Sequence, residues 1–142
     1  MNGTVLDTNL VSEQRRVRPH SNVVAWFARE LPDCLFLTAT VVGELAVGIA
    51  CLPAGKRRSD MEAWLNVLIS ERFAGRILPF DGDAALTYGG IVARARAQGR
   101  SPNISDAQIA AVARLHDMAV ATCHIADFEP LGVAIVNPWE AG

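Results

Sequence analysis

Short, continuously apolar runs alternate with amphipathic segments along this chain of 142 residues. The runs predict buried strands over 3–7, 35–37, 77–80, 119–122 and 133–136. Runs without polar alternation are typical of parallel strands that are covered on both faces. Because strands and helices follow one another in turn, we predict a single domain over 1–142. Its expected fold is a three-layer α/β/α arrangement with a mostly parallel sheet of four or five strands.

Apolar residues at helical spacing predict amphipathic helices over 21–31, 41–52, 59–73, 81–98 and 105–116. Polar residues suited to N-caps precede or open four of them, and we predict caps at Ser21, Ser59, Asp81 or Asp83, and Ser105. No internal repeat, linker or low-complexity segment interrupts the pattern.

Three acidic residues stand where a strand is expected to give way to a helix, or in the first turns of a helix. Asp7 follows an apolar run, whereas Glu44 and Asp106 lie beside the apolar stripes of their helices. A carboxylate on a buried face is costly unless it is paired or bound to a metal. We therefore predict that the three acids meet at the carboxyl edge of the sheet, where ligands bind in α/β folds. Oxygen ligands of this kind favour Mg²⁺ or Mn²⁺.

The formal net charge of −2 gives no overall nucleic-acid signature, but the basic residues are clustered. Three clusters are present: Arg15, Arg16 and Arg18; Lys56, Arg57 and Arg58; and Arg94, Arg96 and Arg100. Such clusters beside an acidic metal site suit a phosphate backbone, and the alternative is an ordinary solvated surface.

The cysteines and the apolar runs bear on where the protein works. Cys34, Cys51 and Cys123 show no metal-binding spacing, and we predict buried, reduced thiols. No apolar run is long enough to span a bilayer, and the first residues show no signal peptide. The expected location is the cytoplasm, with no membrane partner.

Three motifs in order resemble those of the PIN-domain ribonucleases. They are Val5-Leu-Asp-Thr-Asn9 with Ser12-Glu13, Glu44-Leu45 with Gly48, and Asp106-Ala107 with Ile109-Ala-Ala111. Two flanking segments, 73–80 and 137–139, are similar to the VapC and FitB-like toxins of bacterial toxin–antitoxin pairs. The resemblance covers nearly the whole chain.

This resemblance implies an endoribonuclease that depends on Mg²⁺ or Mn²⁺ and hydrolyses RNA with an activated water. Asp7, Glu44 and Asp106 match the three core acids of the family. Thr8 and Asn9 match the polar pair that helps to order the site. The resemblance also implies a small antitoxin protein as partner and a homodimer.

The chain departs from the family pattern after the fourth strand. His124 stands where many relatives have an acid or an asparagine, and Asp127 follows it. His124 is open to two interpretations: a metal ligand or proton shuttle, or a structural or partner-facing residue. Asp127 is a candidate for supplying the missing charge through water.

Two enzyme classes with an aspartate after the first strand are excluded. A haloacid-dehalogenase-like phosphatase needs a second acid at the position of Asn9, and a receiver domain needs a lysine after a late strand, whereas the chain's single lysine is Lys56. The remaining competitor is a non-enzymatic PIN-fold binding module with a weak metal site. The apolar side chains around Trp64 and Leu68 are read either as core or as interface.

Overall fold

Five short parallel strands form the centre of the molecule, in the order β3-β2-β1-β4-β5. The computed structural model of the chain describes residues 3–141. The strands are β1 (Thr4–Leu6), β2 (Leu35–Thr38), β3 (Ile77–Leu78), β4 (Ala119–Ala121) and β5 (Ile135–Val136). All four neighbouring pairs are parallel, so the predicted α/β fold and strand number are confirmed, and the sheet is wholly rather than mostly parallel.

The strand order reverses at β1, which pairs with β2 on one side and with β4 on the other. Thr4 lies opposite Leu35 of β2 and opposite Ala119 of β4. The chain runs outward from β1 to β3 and then returns to place β4 and β5 on the other side. A crevice forms at such a switch point, beyond the carboxyl ends of the strands. The carboxyl end of β1 is therefore the place where this topology favours a ligand.

Helices connect the strands, as right-handed parallel crossovers require. Within residues 3–141 they are α1 (Thr8–Arg15), α2 (Ser21–Arg29), α3 (Ala39–Ala50), α4 (Lys56–Val67), α5 (Gly82–Ala97), α6 (Ile104–Leu115) and α7 (Ile125–Phe128). The helix α4 continues as a π-helical turn over Leu68–Arg72. The most buried helix is α6, in which Ala107 and every residue from Ile109 to Ala113 are fully buried.

Two of the predicted caps are displaced by one or two residues. His20, not Ser21, caps α2, because its imidazole accepts a hydrogen bond from the backbone N–H of Asn22. Asn103, not Ser105, caps α6, because its side chain accepts from the backbone N–H of the third residue of that helix. Each cap is the last residue before its helix whose backbone is extended. Composition does not show at which residue the backbone changes from extended to helical.

The helix α4 differs most from its prediction. It begins at Lys56 after Gly55, so the predicted cap Ser59 lies inside the helix. Gly55 has a φ of 154°, which an L-residue rarely adopts. The prediction at Asp81 is confirmed, since its carboxylate accepts from the N–H of Ala84.

For α2 the expected inward face was Val23, Val24, Phe27 and Leu31, and the structure buries only part of it. Val23 and Trp26 point into the core, whereas Val24 and Leu31 are 52% and 66% exposed. Trp26 is the largest side chain on this helix and its burial sets the rotation. The helices α1 and α7 were not predicted, because each is short and carries few apolar residues.

Burial of the cysteines was predicted wrongly. Cys51 is exposed, and Cys34 and Cys123 are partly exposed; within residues 3–141 none of the three forms a disulfide. Leu68 is fully buried and Trp64 is partly buried, which favours the core interpretation of this apolar stripe. None of the helices described combines the length and the apolar character needed to cross a membrane.

Candidate active site

The three predicted acids lie at the same edge of the sheet. Asp7 follows β1 and caps α1, and Glu44 lies in the second turn of α3, which follows β2. Asp106 lies in the first turn of α6. Because α6 leads into β4 and runs against the strand direction, its first turn starts at the carboxyl edge. The topology thus brings residues that are far apart in sequence to one place.

Asp7 is held rigidly. It is 3% exposed, and its Oδ1 accepts from the backbone N–H of Thr8 at 2.8 Å. Its Oδ2 accepts from Asn9 Nδ2 and from Thr122 Oγ1, both at 2.7 Å. The role predicted for Asn9 in ordering the site is consistent with this geometry. Three hydrogen bonds to a carboxylate leave little freedom to its side chain.

Thr122 is a site residue that the sequence analysis did not single out. Its side chain is fully buried directly after β4. The hydroxyl donates to Asp7 Oδ2 and accepts from the backbone N–H of His124 at 3.0 Å, with Asn9 Nδ2 at 3.3 Å. A single polar residue ending an apolar run, next to the strand that carries Asp7, is the signal that could have found it.

Glu44 is fixed by a different contact. Thr8 Oγ1 donates to Glu44 Oε1 at 2.6 Å. Thr8 therefore connects the first two acids, because its N–H binds Asp7 and its hydroxyl binds Glu44. This bond orients Glu44 toward α1 and places its carboxylate beside that of Asp7.

Asp106 is electrostatically the most perturbed of the acids. Its pKa is raised from 3.8 to about 6. Partial burial is the largest cause, followed by repulsion from Asp7, Asp127 and Glu44, while His124 acts in the opposite direction. Desolvation and neighbouring negative charges both disfavour the carboxylate form. Asp106 is therefore close enough to Asp7, Asp127 and Glu44 for their charges to affect it.

His124 and Asp127 lie at the margin of this site. His124 is exposed, and its Nδ1 lies 3.4 Å from Asn9 Nδ2. Asp127 is exposed and acts on Asp106 through its charge. Neither side chain contacts the carboxylate of Asp7. The geometry places both residues around the acids without assigning either a chemical role.

The donor set fits a hard divalent cation in kind. Carboxylate oxygens are the ligands Mg²⁺ prefers, and one or two carboxylates suffice when waters complete the shell. A raised pKa at Asp106 is what uncompensated negative charge produces. Across residues 3–141, however, no group of three or more His, Cys, Asp or Glu side chains is arranged so that it could hold a metal ion. Joint ligation by Asp7, Glu44 and Asp106 stays a prediction.

A large cavity lies beside the acids, between α1, α3 and α4. It has a volume of about 940 Å³, and both Glu44 and Thr8 line it. Trp64 lines it too, with the guanidinium of Arg15 lying 5.7 Å from the Trp64 ring centroid. Two of the basic clusters converge on this cavity through Arg15, Arg16, Lys56 and Arg57. Those clusters therefore do lie beside the acidic site, as predicted.

Comparisons with known proteins agree with this architecture. Residues 4–124 match the PIN domain family. The chain is 41% identical over 136 residues to VapC ribonuclease Y4jK of Sinorhizobium fredii, which covers 96% of this chain and 97% of that relative. It is 39% identical over 135 residues to toxin FitB of Neisseria gonorrhoeae, covering 95% and 97%.

Solved structures show the same fold. FitAB bound to an IR36 DNA fragment superposes with a TM-score of 0.91 at 37% identity, covering 98% of this chain and 97% of that one. The family match spans most of the sequence, including all three predicted acids. The chain belongs to the PIN domain family.

Proposed function

We propose that this protein is a metal-dependent endoribonuclease and that it is the toxin of a toxin–antitoxin pair. The observation that carries the proposal is the hydrogen-bonded arrangement at one edge of the sheet, where Thr8 bridges Asp7 and Glu44 and Thr122 holds Asp7. Beside it lies Asp106, whose pKa is raised to about 6 by partial burial and by the charges of neighbouring acids. Perturbed carboxylates in a cleft are typical of functional sites. The names of the relatives, a VapC ribonuclease and the toxin FitB, support the same activity.

The side chains at the site have different roles in this proposal. Asp7, Glu44 and Asp106 would hold Mg²⁺ or Mn²⁺, with Asp7 and Glu44 oriented by the hydrogen bonds from Thr8, Asn9 and Thr122. When bound, such a cation lowers the pKa of a water at the site and neutralises charge on the scissile phosphate. Because that water is the nucleophile, the RNA 2′-hydroxyl is not required. Asp127 and His124 are accessory residues in this proposal.

A PIN-fold binding module is the second candidate. It is favoured by the absence of a three-residue metal arrangement within the described part of the chain. A metal titration coupled to RNA cleavage separates the two functions. Cleavage that rises with Mg²⁺ or Mn²⁺ supports the nuclease, and RNA binding without turnover at saturating metal supports the module.

The proposed partners are RNA, a small antitoxin protein and a second copy of the chain. The antitoxin follows from relatives whose structures are toxin–antitoxin complexes, such as FitAB. The apolar cavity with a basic rim beside Glu44 suits an acidic, partly apolar segment of such a partner. An RNA substrate places the activity in the cytoplasm.

The direct experiment incubates the purified protein with total RNA, with and without Mg²⁺ or Mn²⁺, and maps new 5′ ends by sequencing. We expect cleavage at few sites, only with metal, and none for Asp7→Asn. Cleavage that persists in Asp7→Asn would contradict the proposed chemistry. The same variant should relieve growth inhibition when the protein is expressed without its antitoxin.

A further inference from the structure

A second, smaller cleft lies on the other side of the acids from the large cavity. Its volume is about 160 Å³, and Arg100, Asp106 and Asp127 line it. Pockets that enclose a whole small molecule usually have about 300–1,000 Å³. This cleft therefore accommodates only one group of a larger ligand, the rest of which must lie elsewhere along the surface.

Arg100 is held in place by its backbone and has a free head group. Its N–H donates to Ala95 O at 2.9 Å, and the preceding Gly99 takes a φ of 77°, so the turn after α5 is fixed. The side chain is exposed, and in the part of the chain described it forms no ion pair with Asp106 or Asp127. A guanidinium that shares a cleft with two carboxylates yet binds neither is available to an external anion.

We propose that Arg100 binds the RNA phosphate that flanks the scissile bond on the Asp106 side. The inference rests on the proposed ribonuclease function and adds a substrate-binding residue to it. Arg100, Asp106 and Asp127 sum to a formal charge of −1, which repels a phosphate. Asp7 and Glu44 add two more negative charges, and a divalent cation held by the acids would offset two of the four, so the phosphate should bind more tightly when the cation is present.

The chemistry of the cleft favours a phosphate over a base. Guanidinium groups bind phosphate through two parallel hydrogen bonds. None of the residues that line the cleft is aromatic, so it offers no stacking surface for a base. Because phosphate contacts carry no sequence information, Arg100 should contribute equally to all RNA sequences.

Basic side chains then border the acids in two separate clefts. Glu44 and Thr8 border the large cavity with its basic rim, and Asp106 borders the small cleft. A single strand that crosses the acids would meet cationic side chains before and after the scissile phosphate. This arrangement explains why Arg100 and the basic residues around α1 and α4 occur in separate parts of the sequence.

The test compares Arg100→Gln and Arg100→Lys with Arg96→Gln. Arg96 is an exposed arginine of the same basic cluster near the end of α5, but it lines neither cleft, which favours the solvated-surface interpretation for it. Its substitution therefore removes the same charge from the same helix end without removing a cleft residue. Binding of a short fluorescent single-stranded RNA is measured by anisotropy in an Asp7→Asn background with Mg²⁺, over a series of salt concentrations. Cleavage kcat/KM is measured in the background that retains Asp7.

Arg100→Gln should weaken RNA binding about 10-fold, the lower end for a hydrogen bond to a charged group. It should also reduce the slope of log K against log salt by about 0.7, the value for one phosphate on a single strand. Arg100→Lys should retain the slope but bind more weakly, because lysine lacks the planar fork. Arg96→Gln should change neither quantity.

Equal effects of Arg100→Gln and Arg96→Gln would overturn the assignment. So would a loss in Arg100→Gln that depends strongly on RNA sequence, because that would indicate a base contact. If the protein with Asp7 intact does not cleave RNA, the proposed function fails, while the binding arm still tests Arg100.

Discussion

Asp7 and Asp106 belong to the same site but are held in opposite ways. Asp7 is buried, and its two oxygens accept three hydrogen bonds. Asp106 is partly buried, and in the described residues no hydrogen bond reaches its carboxylate. Burial and three neighbouring acids raise the pKa of Asp106 to about 6.

This difference shows how a site can be both ordered and reactive. The contacts that Asp7 makes with α1 and with the end of β4 fix its carboxylate before any ligand binds. The carboxylate of Asp106 is repelled by the neighbouring acids, so a bound cation would stabilise it most. We expect substitutions of Asp7 and of Asp106 to have similar effects on activity and different effects on stability.

The largest expected effect is on RNA cleavage. Asp7→Asn and Asp106→Asn should each reduce cleavage by on the order of 10³-fold or more, because a catalytic cation stabilises the transition state by several kcal/mol. Initial rates on a mapped RNA substrate with Mg²⁺ measure this. Asp83→Asn, an exposed aspartate in the first turn of α5, is the matched control and should retain full activity. Equal rates for Asp7→Asn and Asp83→Asn would show that Asp7 does not hold a cation that cleavage needs.

The second prediction concerns Thr122. Thr122→Val removes the hydroxyl that donates to Asp7 Oδ2, and metal affinity should fall by about 10–100-fold, the usual effect of losing a hydrogen bond to a ligand. Isothermal titration with Mn²⁺ measures this without relying on activity. Thr122→Ser keeps the hydroxyl and should restore most of the affinity. If serine and valine behave alike, the hydroxyl does not hold Asp7 for the metal.

The third prediction concerns stability against pH in the absence of metal. Because the pKa of Asp106 is higher in the folded state, the folded protein binds more protons, and stability should fall as pH rises from about 4 to about 6. The fall is at most about 3 kcal/mol from the pKa change, and solvent screening of this partly exposed group reduces it. Urea unfolding at several pH values measures the effect.

Asp106→Asn should remove that fall and stabilise the metal-free protein above pH 6. Glu13→Gln is a control for which the pH dependence of stability has the opposite sign. The pKa of Glu13 is lowered, chiefly because the backbone N–H of His20 donates to it, so its contribution to stability is lost as pH falls. A stability curve for Asp106→Asn that still falls between pH 4 and 6 would contradict the assignment.

The smallest expected effect is at His124. The side chain is exposed and touches the site only through Asn9, at 3.4 Å. His124→Asn should therefore leave cleavage within a few fold. A loss of about 10²–10⁴-fold with an unchanged circular dichroism spectrum would instead indicate a general acid–base role.

The sequence by itself determined the architecture and the three acids. Continuous apolar runs that alternate with amphipathic segments are typical of strands buried on both faces, so the parallel sheet was predictable. The acids follow or border such runs, which is why the sequence predicts them at one edge of that sheet. Asp7, Glu44 and Asp106 are readable because a carboxylate beside an apolar stripe is unusual without a partner. His124 was readable only as a departure from the family pattern.

Only the tertiary structure decided how the site is held and what surrounds it. Thr122 donates to Asp7 across 115 positions of sequence, and Arg100 lines the same cleft as Asp106 because the turn after α5 leads into α6. The caps His20 and Asn103 depend on backbone angles, and the buried face of α2 depends on the packing of Trp26. Sequence patterns report the period and polarity of one segment. Contacts between segments are fixed by the packing of the whole chain, which no single segment encodes.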